Sequence, residues 1–105
     1  MKTYPLKVLT PEKRIFGDDV ISVTVTCEDG QLSVLAGHAP MVAMLVEGPI
    51  VIRTTKETRS GVGERGVLQV ARGEAIVMIH AFAWSDDEMA AELNIENAAA
   101  SDMAL

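Results

Sequence analysis

Several things are scarce in this 105-residue sequence, and each scarcity excludes something. There is one cysteine, Cys27, so no internal disulfide forms and no thiolate metal cluster can be built on it alone. A reducing compartment suits such a chain. Aromatic residues make up only 4%, which argues against a surface that stacks bases or sugars. There are two histidines, His38 and His80, and no His-x-x-x-His or Cys-x-x-Cys spacing. A zinc site needs more nitrogen or sulfur ligands than that. The longest strongly apolar stretch, AIVMIHAFAW, is ten residues and contains His80, too short to span a bilayer. No apolar run follows Met1-Lys2, so no secretory signal is visible. Membrane association is therefore expected only through a partner.

Positive charge is missing from one end. All nine Lys and Arg lie within residues 1–72, against eight acids; residues 73–105 carry seven acids and neither Lys nor Arg. A nucleic-acid binder usually shows a basic stripe, and none is visible. The acidic end reads either as a solvated helix face or as a surface for a basic partner.

What is present is aliphatic. Hydrophobic residues total 49%, enough for one domain with a core of Val, Ile, Leu, Met and Ala. VISVTVTC alternates, with Ile21, Val23, Val25 and Cys27 on one face and Ser22, Thr24 and Thr26 on the other. That is the period of a half-buried strand. Glu28 to Gly30 marks a turn, PIVIRTT and GVLQV are further strands, Ala71 to Glu74 is a turn, and AIVMIHAFAW is the longest strand. Turn signals about every ten residues suggest a mainly β fold, a sandwich or barrel. Composition changes at Ser85, dividing the chain into 1–84 and 85–105. Ser85 and Glu88 have capping-box spacing, and Asp86 and Asp87 suit a helix N-terminus. A short helix over 86–93 is expected.

The chemical motifs weigh lightly. Gly61 to Gly66 reads GVGERG, a formal G-x-G-x-x-G, but a strand-like VLQV follows where a dinucleotide site needs a helix. A hairpin connection is expected there. Cys27, on an apolar strand face, reads as a small core residue. His80 alternates with Met78 and Phe82 and reads as a hydrogen-bonded, partly buried histidine. His38 precedes Ala39-Pro40 and reads as a turn or contact residue; a catalytic role would need a companion nucleophile that no motif supplies. MVAMLV, Met41 to Val46, is apolar throughout. A strand covered on both faces reads this way, and so does one with a face left for a partner.

The order of landmarks resembles the epsilon subunit of F-type ATP synthases, the delta subunit of the mitochondrial enzyme. Those landmarks are Thr10-Pro11-Glu12, Ile15-Phe16, VISVTV, Leu35-Ala36-Gly37-His38-Ala39-Pro40, GPIVI and GVLQV. The likeness runs from about residue 3 to residue 80, and the Gly-His-Ala-Pro core is its most specific part. The resemblance implies a two-sheet β-sandwich of about ten strands, followed by C-terminal helical structure. It implies a non-catalytic rotor subunit without cofactor or metal, peripheral to the cytoplasmic face of a bacterial inner membrane. By position, His38, Ala39, Pro40, Met41, Val42, Ala43, His80 and Phe82 would face the gamma subunit. Glu28, Asp29 and Gln31 would face the polar loops of the c-ring. The alpha/beta hexamer would be met only indirectly.

The sequence departs from the family pattern at several positions. Gln31 stands where many members carry Glu, which replaces a charge-assisted contact by a neutral one. Ala36 stands for a usual Pro, removing a φ constraint, and Arg65 for a usual Gly. The family's nucleotide motif, Ile/Leu-Asp-x-x-Arg-Ala, reads Leu93-Asn94-Ile95-Glu96-Asn97-Ala98, without the phosphate-pairing Arg. No ATP binding is expected. A continuous helix over 85–105 would reach about 30 Å and carries no basic residue, so weak or no ATPase inhibition is expected. A free-standing binding module on the same fold is the alternative to a rotor subunit.

Overall fold

The computed structural model describes residues 2–85. The helix expected over 86–93 lies outside the described residues. Ten strands follow one another: β1 (Tyr4–Leu9), β2 (Arg14–Val20), β3 (Ser22–Cys27), β4 (Gly30–Leu35), β5 (Met41–Leu45), β6 (Gly48–Arg53), β7 (Thr58–Gly63), β8 (Gly66–Ala71), β9 (Glu74–Ile79) and β10 (Phe82–Trp84). They hydrogen-bond in the order β10-β7-β6-β3-β5-β8-β9-β1-β2, with β4 on the other side of β3. All neighbours are antiparallel except β1 and β9.

This path folds into two layers. One holds β10, β7, β6, β3 and β4; the other holds β5, β8, β9, β1 and β2. Between β3 and β5 only Cys27 and Leu45 pair, so the ladder nearly breaks where the layers part. Alternation explains which side chains meet between them. Leu6 and Val8, Val23 and Val25, Ile50 and Ile52, Leu68 and Val70, and Ala75 and Val77 recur two apart and are buried in one cluster. The core is aliphatic, as the composition requires. Across it the Tyr4 hydroxyl donates to the Val34 carbonyl at 2.7 Å, tying β1 to β4.

Two expectations are corrected at one corner. GVGERG is not a hairpin: β7 pairs with β6 and β10, whereas β8 pairs with β5 and β9. AIVMIHAFAW is not one strand either, because β9 ends at Ile79 and β10 begins at Phe82. Both segments cross from layer to layer side by side. Gly66 pairs with Ile79 and Gly63 with Phe82. Between them the His80 amide donates to Arg65 O and the Glu64 amide to Ala81 O, each at 3.0 Å. One ribbon, closed by the turn at Arg72-Gly73, thus bends over the sandwich edge without losing register.

Missing side chains allow the bend. A Cβ on Gly66 would collide with the Met78 carbonyl, and one on Gly61 with the Phe82 ring and, at 2.6 Å, the Ala83 carbonyl. These glycines serve close packing at a bent corner. Ser22 is a further correction. Although on the expected wet face it is only 7% exposed, lying on a central strand in register between Leu35 and Arg53.

Candidate subunit interface

The Gly-His-Ala-Pro segment links β4 to β5. The His38 amide donates to Leu35 O at 3.1 Å, closing a four-residue turn. Gly37 has φ of +86° in that turn, the third-position geometry of a type II turn, which glycine adopts without strain. Ala36 fills the second position, where a proline also fits. His38 is half-buried, and its Nδ1 lies 2.8 Å from its neighbour's carbonyl, Ala39 O. A carbonyl only accepts, so Nδ1 carries the proton in the neutral ring and Nε2 is left as an acceptor. Ala39 and Pro40 are exposed.

β5 resolves the unalternating run. Leu45 is buried, and Met41 and Ala43 pack partly buried against the core. Val42 is 65% and Met44 72% exposed. The strand is therefore covered by this chain on one face and bare on the other. Its bare face continues across the layer: Met44 is opposite Val67, and Val67 opposite Met78. The two methionines of the run, Met41 and Met44, both read as adaptable contacts from sequence, but Met44 alone is bare; Met78 was not read as part of this face.

The other expected contact residues are spread over the sandwich. Met41 is opposite Val70 and Leu45 opposite Gly66, next to the Arg65–His80 bond. His38 and His80 thus lie at opposite ends of β5, about 14 Å of strand apart. His80 is exposed, not partly buried as expected. It shares no strand with Phe82. Phe82 packs edge-on against Trp84, with centroids 4.9 Å apart, and Trp84 also carries the Arg59 guanidinium 3.8 Å over its ring. Phe82 thus spends much of its surface inside the corner. Glu28 and Asp29 form the exposed two-residue loop of the β3–β4 hairpin, with Gln31 exposed just beyond. Because Cys27 pairs with Leu45, this tip lies at the His80 end of β5. A groove of about 440 Å³ joins Glu28, Gln31 and Leu32 to Met41 and Met44.

A pocket of about 460 Å³ lies beside His80, lined by Leu9, Thr10, Pro11, Arg65 and Met78. The cavity beside His38 measures about 20 Å³, close to one water. Among the described residues no cluster of His, Cys, Asp and Glu is arranged to hold a metal ion. No described helix is long and apolar enough to cross a membrane. What the molecule offers is surface: an apolar strand face, a rigid turn and an acidic hairpin tip.

Residues 3–85 match the beta-sandwich domain of the delta/epsilon chain of ATP synthase. The chain belongs to this family. The ATP synthase epsilon chain of Ruminococcus albus is 34% identical over 88 residues, covering 83% of this chain and 66% of that one. The epsilon chain of Protochlamydia amoebophila is 34% identical over 96 residues, covering 90% and 62%. A chain of the Euglena gracilis mitochondrial ATP synthase assembly of OSCP, F1 and c-ring superposes with a TM-score of 0.76 at 19% identity, covering 93% of this chain and 66% of that one. One from the central stalk and c-ring of the Tetrahymena thermophila mitochondrial enzyme gives 0.70 at 17% identity, covering 79% and 67%. At such identities the likeness is one of fold. The chain spans about two thirds of the length of these relatives. Residues 3–85 thus correspond to the ATP synthase delta/epsilon sandwich, with the Gly-His-Ala-Pro segment at the β4–β5 junction.

Proposed function

We propose that the chain is a non-catalytic central-stalk subunit of an F-type ATP synthase, linking the gamma subunit to the c-ring and coupling ion translocation to ATP synthesis. The exposed apolar face of β5 carries this reading. Val42 and Met44 stand bare directly after the Gly-His-Ala-Pro turn, on a family member whose fold recurs in ATP synthase stalk assemblies. His38, Ala39 and Pro40 extend the gamma-facing surface at one end of β5, and His80 marks its other end. Met41, Ala43 and Phe82 act from beneath, by holding this face in shape. The tip at Glu28, Asp29 and Gln31 meets the polar loops of the c-ring. The subunit is peripheral, on the cytoplasmic face of the bacterial inner membrane, and meets the catalytic hexamer only through gamma. No cofactor takes part.

The test is a titration against purified gamma subunit. Val42→Asp with Met44→Asp places unpaired carboxylates where an interface would exclude water, at a cost of about 2 kcal/mol or more. Binding should weaken at least tenfold, while circular dichroism of the sandwich stays unchanged. Unaltered affinity would remove β5 from the interface. Met41→Asp is unsuitable, since Met41 packs against the core. Inhibition is expected to be weak because residues 86–105 hold no Lys or Arg; deleting them should leave ATPase activity of the reconstituted complex within about twofold, an energy change below ~0.5 kcal/mol.

A further inference from the structure

Two methionines stand on the bare face of the β5 layer. Met44 is 72% and Met78 40% exposed. They share one rung, with Met44 opposite Val67 and Val67 opposite Met78. Two strand spacings separate them, roughly 10 Å. Parallel pairing carries the rung on to Leu9, so it is apolar across four strands. Each methionine also borders open space: the groove of about 440 Å³ reaches Met44, and the pocket of about 460 Å³ reaches Met78. Met41, in the same strand as Met44, differs. It packs partly buried against the core, as Cys27 does. One apolar strand thus presents one sheltered thioether and one bare one.

We propose that Met44, with Met78 beside it, is a site of reversible oxidation by hydrogen peroxide, and that the sulfoxide form binds the gamma subunit less tightly. This rests on the reading of the bare β5 face as the gamma contact. In the forward step a sulfur lone pair attacks one peroxide oxygen. An S–O bond forms and the O–O bond breaks. The departing hydroxide takes up the proton left on the transferred oxygen and leaves as water. Sulfur is oxidised by two electrons and the peroxide reduced by two. A thioether has no proton to shed first, so it needs no base beside it, whereas a thiol such as Cys27 reacts as its thiolate. Two thiols of a methionine sulfoxide reductase reverse the step, ending as a disulfide and water. The sulfoxide turns a flexible apolar side chain into a polar one. On the free chain, water solvates it and the core is untouched. Under a partner its oxygen is stripped of water on an apolar rung, and an unpaired polar group there opposes binding. Assembly in turn covers the sulfur, so the switch acts on chains that have not yet docked.

Peroxide treatment of the full chain, read residue by residue by peptide mass spectrometry, tests the first half. Met44 should oxidise about fivefold faster than Met41, with Met78 between them. Titration against purified gamma subunit tests the second half. The oxidised chain should bind about tenfold more weakly, and methionine sulfoxide reductase with dithiothreitol should restore the affinity. Met44→Leu with Met78→Leu should abolish the peroxide effect, read as the ratio of affinities before and after treatment. That variant keeps Met41, Met89, Met103 and Cys27, so a ratio that persists in it would place the effect elsewhere and overturn the proposal. Met44 oxidising no faster than Met41 would also overturn it, including through cover by residues 86–105. So would an oxidised chain that binds as before. An untreated chain that does not bind gamma would remove the rotor reading, and the consequence of the sulfoxide with it, while the order of oxidation is read without any partner.

Discussion

Tyr4 shows what one residue does for this sandwich. It is 6% exposed, and its hydroxyl bridges the layers to Val34 O. Burial pushes its phenol up to about 12, with the backbone of Val23 on the same rung pulling weakly the other way. The unfolded chain ionises near pH 10. Between about pH 10 and 12 the unfolded state has lost a proton that the fold keeps, so stability is full below that window and falls as pH rises through it, by at most about 3 kcal/mol. Tyr4 is the sole tyrosine, so phenolate absorbance reads it alone. A titration midpoint near 12 is expected while the chain remains folded; a midpoint near 10 would mean that the ring is solvated. Tyr4→Phe should cost about 1 kcal/mol at neutral pH, from the lost cross-layer hydrogen bond, and should flatten the alkaline decline in denaturant midpoint.

Among the elements, the bent ribbon of β7–β8 and β9–β10 is the least forgiving. The atom facing Gly66 is the backbone carbonyl of Met78, which cannot rotate away as a side chain could. Gly66→Ala should therefore destabilise the sandwich by about 2–3 kcal/mol, as overpacking does, lowering the urea midpoint. An unchanged midpoint would show that the corner has slack. β5 teaches a different lesson. A composition-level reading sees six apolar residues in a row, whereas the strand alternates strictly between core and solvent. Sequence periodicity marks a face only when the two faces differ in polarity. Both faces of β5 are apolar, and so the burial pattern is silent in its sequence.

Across the whole molecule the two proposed contact regions adjoin at the His80 end of β5 and share a groove that runs from Glu28 to Met44. The hairpin tip with Glu28 and Asp29 lies at one end of β5, and the His38 turn at the other. Glu28→Lys with Asp29→Lys should impair ion-coupled ATP synthesis in reconstituted vesicles, by about tenfold if the tip supplies roughly 1.4 kcal/mol of coupling contact. Affinity for gamma should stay within twofold of wild type. A parallel loss of both would mean that the ends act as one surface.

The β class, most strands, the aliphatic core and the family were legible in the sequence, because strand alternation and a specific turn motif are local properties. The turn at Glu28 to Gly30 was legible for the same reason, whereas the turn read at Gly37 to Pro40 lies earlier, at Leu35 to His38. Which residues stand bare was not. His80 was expected half-buried and is exposed; Ser22 was expected wet and is sheltered; Met41 and Met44 read alike, yet only Met44 is bare. GVGERG looked like a connection between neighbouring strands and is a crossing between layers. Each of these depends on what lies opposite, on another strand tens of residues away. Strand period and turn positions follow from the local order of residues. Which strands become neighbours follows from the packed fold, because burial belongs to pairs of surfaces and not to single residues.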